Sequence, residues 1–308
     1  MANLQFDQVD IVLVDPDRGS RDGIRNMLYN NGFRDLRFGS NMEDLREQFK
    51  LATPDLLICE AELPDGDFAR MISSLRHHEF GNNPFLPVIA TTWNPTGDLV
   101  KSIIECGVDD LLPKPISTAH LLNRIKTMVN ARKPFVVTSD YIGPQRRNRE
   151  DTKDEEKTVV EVPNTLRAKA TGEEEAASVQ NAIRKAIAAV NEQKLERHAV
   201  QIAELTKTIL AAYEAGAVDG RVFDDLDKLY FVAGDTSRRM TGTQYGHVSD
   251  LCESLIKVTA SIRDEKFSPA SKDLQLLKPL SQAIAGAFAE DESTADLARQ
   301  ISASVSGD

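Results

Sequence analysis

The 308-residue chain carries a formal charge of −11 with 41% apolar and 28% charged residues. This composition supports two globular domains with separate cores and opposes nonspecific attachment to nucleic acid or anionic membrane, which requires a basic surface. Cys59, Cys106 and Cys252 are odd in number and widely spaced in apolar segments, so buried free thiols are expected rather than disulfides or a metal set. With neither a signal-like leader nor an apolar run of membrane-spanning length, a cytoplasmic protein is expected.

Val9 to Val14 is a β-branched run ending at Asp15-Pro16-Asp17. A helix follows, with Ser20 as its expected N-cap and Ile24, Met27 and Leu28 on one face. A short strand from Leu36 to Phe38 leads through Ser40 to a helix bearing Met42, Leu45 and Phe49. Leu56 to Cys59 is an apolar run closed by Glu60, and Pro64-Asp65-Gly66-Asp67 turns into a helix with Phe68, Met71, Ile72 and Leu75 in phase. Leu86 to Thr91 gives a fourth strand, Thr96 starts a helix with Leu99, Ile103 and Ile104, and Gly107 ends it. Asp110 to Pro113 is a short fifth strand, and Ser117 caps a helix with Leu121, Ile125 and Val129. This alternation predicts an α/β doubly wound parallel sheet of five strands, with ligands and chemistry at the strands' carboxyl ends, where Glu60 stands.

Asp15 after the first strand, Glu60 before Leu63-Pro64 and Gly66-Asp67, Thr92 closing the fourth strand and Lys114-Pro115 after the fifth occupy four successive strand ends. In that order they resemble the response-regulator receiver domain over residues 8–131. The resemblance implies a flavodoxin-like fold, a first-strand acidic pair that binds Mg²⁺, and a third-strand aspartate that accepts a phosphoryl group. It further implies a Thr and a Lys that contact the phosphoryl oxygens, and a cis Lys-Pro bond.

Against this pattern, the phosphoacceptor position holds Glu60, one methylene longer than aspartate, and a misplacement of about 1 Å costs roughly a hundredfold in a positioned reaction. The acidic pair reads Asp15-Pro16, and Asp17 either joins the cation site or caps its own helix. Few carboxylates hold a hard cation weakly, so no cofactor is assigned, and a Mg²⁺ site on Asp15, Asp17 and Glu60 is expected to be weak. Trp93 follows Thr92 where a small residue is usual and is expected to close the pocket, while Leu111 occupies the switch position in place of an aromatic. The set Asp15, Asp17, Glu60, Thr92, Trp93 and Lys114 is thus expected to form a degenerate phosphoacceptor pocket in a pseudo-receiver, with no catalytic residue. Two readings of Glu60 stand: it imitates a phosphorylated aspartate by reaching Lys114 and Thr92, or it is an acidic residue at a dead site.

Residues 133–174 read as a linker with patterned and disordered parts. Phe135-Val136-Val137-Thr138 has strand character, residues 146–158 are charged and expected to be disordered, and Val159 to Leu166 is expected to dock as an extended segment. Arg146, Arg147 and Arg149 are expected to pair with the acidic residues beside them. From about residue 175 the apolar residues keep helical period, with breakers at Gly216 to Gly220, Thr241-Gly242, Ser268-Pro269 and near Asp291, predicting an up-and-down bundle. Pro279 implies a kink or a helix start nearby. The run from Leu229 to His247 is similar to histidine-phosphotransfer domains, and that resemblance places Gly234 where the phosphoacceptor histidine would fall. His247 is read as a helix-start surface residue, and His120 and His198 are given no partners.

The expected domains are a pseudo-receiver at 1–132, a linker at 133–174 and a helical bundle at 175–308. The expected function is a phosphorylation-independent signalling adaptor of a bacterial two-component or phosphorelay system, not an enzyme. It would act through protein-protein contacts with a histidine kinase, a phosphotransferase, another receiver or a second copy of itself, with neither nucleic acid nor membrane as partner. The alternative is an active phosphorelay response regulator whose phosphate or Mg²⁺ site has moved to Asp17 or His247.

Overall fold

The computed structural model describes residues 4–146, 158–173, 175–240 and 246–287. They divide into two compact units between Val190 and Asn191. In the first unit, strands β1 (Asp10–Val14), β2 (Asp35–Gly39), β3 (Leu56–Glu60), β4 (Val88–Thr92) and β5 (Asp110–Pro113) alternate with helices α1 (Arg18–Asn30), α2 (Met42–Leu51), α3 (Phe68–Arg76), α4 (Gly97–Glu105) and α5 (Thr118–Ala131). The strands lie parallel in the order β2-β1-β3-β4-β5. Because helices cover both faces, β3 and β4 are buried at every residue. Ile11, Leu13, Ile58 and Ile89 pack with α1 and α5, while Val12, Val14, Leu57, Val88 and Ala90 pack with α2, α3 and α4. The period-two alternation of each strand thereby feeds two cores.

The five helices that alternate with these strands each start on a side-chain cap: Asp17, Asn41, Asp67, Thr96 and Ser117 each accept from the backbone N–H three residues on. The expected cap of α1 is corrected from Ser20 to Asp17. Ser20 supplies the N–H that Asp17 accepts at 2.6 Å, while its hydroxyl donates to Asp15 Oδ2 at 2.7 Å.

In the stretch read as a linker at 133–174 with patterned and disordered parts, the described residues form regular elements, one of them on the strand-like run at Phe135–Val137. β6 (Phe135–Val137), β7 (Ile142–Pro144) and β8 (Thr158–Val160) form an antiparallel sheet in the order β7-β6-β8, followed by α6 (Thr165–Thr171). Phe135, Val137, Ile142 and Val160 cluster with Phe85, and Leu166 and Ala170 enter the core beside α1 and α5. Arg76, 1% exposed, ties this sheet down. It donates to the carbonyls of Gly107, Pro84 and Leu86 at 2.7–2.8 Å and pairs with Asp109 at 3.1 Å. Arg132 grips the same carboxylate at 2.8 Å, and both guanidinium groups lie 5.2 Å from the Phe135 ring. Gly107, at φ +92°, allows β7 to approach, since a Cβ there would stand 2.7 Å from the Ile142 carbonyl oxygen.

Helix α7 (Ala176–Glu214) contains the division between the units, so the expected bundle start at 175 also shifts. Its residues 176–190 belong to the first unit, where Val179 and Ile183 pack with Ala168. The second unit combines the rest of α7 with α8 (Gly220–Met240), α9 (Gly246–Glu265) and α10 (Ser271–Ala287). Ile202, Ile209, Leu226, Leu229, Leu251, Leu255, Ile262, Leu280 and Ile284 build its core, with α8 packed on α9 and α9 on α10. Pro279 lies inside α10. The breakers at Thr241-Gly242 and near Asp291 and the last apolar series, Leu297, Ile301 and Val305, lie outside the described residues, as does most of the expected disordered stretch. No helix among the described residues is long and apolar enough to cross a membrane.

Candidate functional site

The parallel order brings the carboxyl ends of β1, β3, β4 and β5 into one cleft. Asp15 follows β1, Glu60 ends β3, Thr91 and Thr92 end β4, and Lys114 follows β5 on a cis Lys114-Pro115 bond. Asp15, Glu60, Thr91, Thr92 and Lys114 are all buried. Buried charges must be paired to be tolerated, and here one ammonium serves two carboxylates. Lys114 Nζ lies 2.5 Å from Asp15 Oδ2 and 2.5 Å from Glu60 Oε2.

Each carboxylate is held by further donors. The Asp17 backbone N–H donates to Asp15 Oδ1 at 3.0 Å, the Ser20 hydroxyl to Asp15 Oδ2, and Arg21 to the Asp15 carbonyl. Glu60 Oε2 accepts from the Thr91 hydroxyl at 3.1 Å. Thr92 does not meet Glu60 as expected: its hydroxyl donates to Glu62 Oε2 at 3.4 Å and accepts the Asn94 N–H at 3.1 Å. The reason is register, because Glu60 aligns with Thr91 across the parallel pair, and neighbouring strand residues point to opposite faces.

Asp17 is exposed, and one of its oxygens is committed to the α1 cap. Trp93 does not close the cleft. It is 56% exposed, its ring lies 5.4 Å from Lys114 Nζ, and it forms one wall of a cavity of about 350 Å³ between α1 and Pro115-Ile116. The cation is already spent on two carboxylates, so the indole adds a face-on contact rather than a lid. Leu111, half-buried on β5, packs into the core on the α3 and α4 side. Cys59 lies beside the cluster with its thiol against the Glu60 carbonyl at 3.3 Å. Burial, with the charges of Glu60 and Asp15, pushes that thiol well above its ordinary value, which removes it as a nucleophile. All three cysteines are free and buried.

In the second unit Gly234 lies on α8 with open space where a Cβ would stand. Its neighbour Asp235 turns inward, to Arg239 at 2.9 Å and to Arg238. His198, 1% exposed, sets Nδ1 3.1 Å from Thr236 Oγ1 and Nε2 3.7 Å from Asp235 Oδ2. Burial raises the Asp235 carboxyl, but Arg239, then His198 and Arg238, outweigh it and hold it at about 2. The His247 side chain lies outside the described residues. Thr91, Arg21, the Ser20 contact with Asp15 and the His198–Asp235 contact escaped the sequence reading, which had Ser20 only as a helix cap; the Thr91-Thr92 doublet was the one local signal for any of them.

Residues 11–126 match the family profile described as the response regulator receiver domain, and this stretch is a receiver domain of the two-component type. Response regulator MprA of Mycobacterium tuberculosis (strain ATCC 25618 / H37Rv) is 29% identical over 126 residues, 41% of this chain and 53% of that protein. MprA of Mycobacterium leprae (strain TN) is 29% identical over 124 residues, 40% of this chain and 52% of that protein. The chain thus spans about half the length of the curated relatives it matches. Among solved structures, the receiver domain of sensor histidine kinase PA1611 from Pseudomonas aeruginosa PAO1 is 24% identical, with 39% of this chain and 94% of that chain covered and a TM-score of 0.34.

Proposed function

We propose that this chain is a phosphorylation-independent signalling adaptor of a two-component or phosphorelay system, a pseudo-receiver that works through protein contacts and not as an enzyme. The observation that carries this reading is the single ammonium of Lys114 shared at 2.5 Å by Asp15 and Glu60. The residues present do not fit Mg²⁺. A hard dication needs several free carboxylate oxygens, whereas Asp15 and Glu60 are engaged with Lys114, Asp17 caps α1, and Pro16 supplies none. The same cap disfavours Asp17 as a relocated phosphate site.

Glu60 copies a phosphorylated aspartate only in part, since it engages Lys114 while Thr92 turns to Glu62. The fitting description is an ionic lock: a buried Glu60–Lys114–Asp15 cluster that sets one arrangement of the β1, β3 and β5 ends. Partners are a histidine kinase, a phosphotransferase, another receiver or a second copy, chosen by surface contact. The test is intact-protein mass spectrometry after incubation with a small acyl phosphate and Mg²⁺. No phosphoryl adduct is expected, and an adduct mapped to Glu60, Asp15 or Asp17 overturns the proposal.

A further inference from the structure

At the amino ends of the strands, opposite the Lys114 cluster, a cavity of about 270 Å³ opens between the sheet and helices α6 and α7 within the first unit. Asp55, just before β3, and Thr165 and Lys169 on α6 line it, with Gln8 and Gln180 at the rim and Ala168 and Val179 as apolar wall. Asp55 is 8% exposed, and its Oδ2 accepts the Asp10 backbone N–H at 3.1 Å. Among the described residues no cation forms an ion pair with it. Thr165 is also 8% exposed, and its hydroxyl is buried with no hydrogen-bond partner among the described residues. A buried carboxylate held by one backbone N–H and by no close ion pair is a costly arrangement.

The carboxylate is met by a ligand that brings N–H donors on a positive charge, and the exposed Lys169 ammonium one turn along α6 calls for an anionic end. We propose that this cavity binds a small α-amino acid, its ammonium on Asp55 and its carboxylate toward Lys169. The volume suits a short side chain against Ala168 and Val179. Burial raises the Asp55 carboxyl to about 6, with the Asp10 hydrogen bond and Lys169 opposing and Asp10 and Asp35 adding to the rise. Arg37 already neutralises Asp10 at 2.7 Å. An incoming ammonium therefore relieves an existing cost, and its affinity declines as pH falls below that value. Both α6 and the start of α7 lie outside the stretch matched as a receiver domain, so the site belongs to this chain's own elaboration.

The test is isothermal titration calorimetry of the full chain at pH 7.5 with L-alanine, ethylamine and propionate. Saturable binding of alanine, weaker binding of ethylamine and none of propionate are expected. Asp55→Asn keeps an acceptor for the Asp10 N–H and should stay folded, yet lose at least about tenfold in alanine affinity, the scale of one charge-assisted hydrogen bond. Lys169→Met should bring alanine down to the level of ethylamine. No saturable alanine binding up to high millimolar concentration, or unchanged affinity in a folded Asp55→Asn variant, overturns the proposal.

Discussion

Replacing Lys114 with methionine isolates the ionic lock. The side chain is 2% exposed and its ammonium lies 2.5 Å from one oxygen of each of two carboxylates, so those oxygens are at most about 5 Å apart. At an effective dielectric of about 20, two unit charges at that separation repel by about 3 kcal/mol. That value is a floor, because the oxygens can only be closer, and it agrees with the about 3–5 kcal/mol that removing one partner of a buried ion pair costs. That is a large share of the roughly 5–15 kcal/mol that holds a domain folded. Urea unfolding at pH 7 should show a lower midpoint with an unchanged slope. Adding Mg²⁺ should raise the midpoint of Lys114→Met and leave wild type unmoved, because the variant presents two carboxylates to one abandoned cation position. The double variant Glu60→Gln/Lys114→Met should recover part of the loss without cations. A wild-type midpoint for the single variant, or an equal Mg²⁺ response in both proteins, would refute the reasoning.

Asp55→Asn should stabilise the protein at pH 7.5 by up to about 3 kcal/mol and have no effect near pH 3.5. Its folded value of about 6 lies above the ordinary 3.8, so the cost is absent below 3.8 and complete once pH has risen past 6; thermal melts across this range check it. Asp235 runs the other way. Held at about 2, its carboxyl contributes on the order of 2–3 kcal/mol above pH 3.8 and loses this as pH falls toward 2, so Asp235→Asn should flatten the acid limb of the wild-type stability curve. Gly107→Ala should cost roughly 2–4 kcal/mol in urea unfolding, because φ is +92° and the new Cβ meets the Ile142 carbonyl at 2.7 Å. Gly234→Ala, with nothing within 4 Å of its Cβ, should instead raise the melting temperature through a helix-propensity gain of about 0.5–1 kcal/mol.

The parallel sheet and the meeting of Asp15, Glu60 and Lys114 were legible because they depend on strand ends in a fixed order, which apolar runs and turns mark clearly. Thr91 was not, since a one-residue shift of register exchanges the two threonines between faces. Of the small sheet, the strand character of Phe135 to Thr138 was legible and β6 falls there, but β7, β8 and the sheet they complete were not, for a different reason. Its strands are three residues each, a charged stretch separates β7 from β8, and its anchor is Arg76, a helix-end arginine that local pattern reads as solvated. Continuous helical period from 176 to 214 gave α7 but carries no signal for the division at Val190. His198 and Asp235, 37 positions apart, are joined only by the packing of α7 on α8.

On the proposed reading, the departures at the strand ends are one change rather than several. A buried site tolerates charge only near balance. In the pattern the sequence resembles, three carboxylates are offset by a dication and a lysine. Proline at position 16 removes one carboxylate, which leaves two against one ammonium and weakens the case for a dication. Lengthening the third-strand acid to glutamate then lets its oxygen close on that ammonium to 2.5 Å, the distance at which Asp15 also sits. The Thr92 hydroxyl, set by register on the other face of β4 from Thr91, meets Glu62 and not this cluster. Restoring aspartate at 60 alone would therefore not restore phosphoryl chemistry: it shortens the acid by about 1.5 Å, one C–C bond, loosens its contact with Lys114, and still leaves Pro16 where the metal's second carboxylate is required.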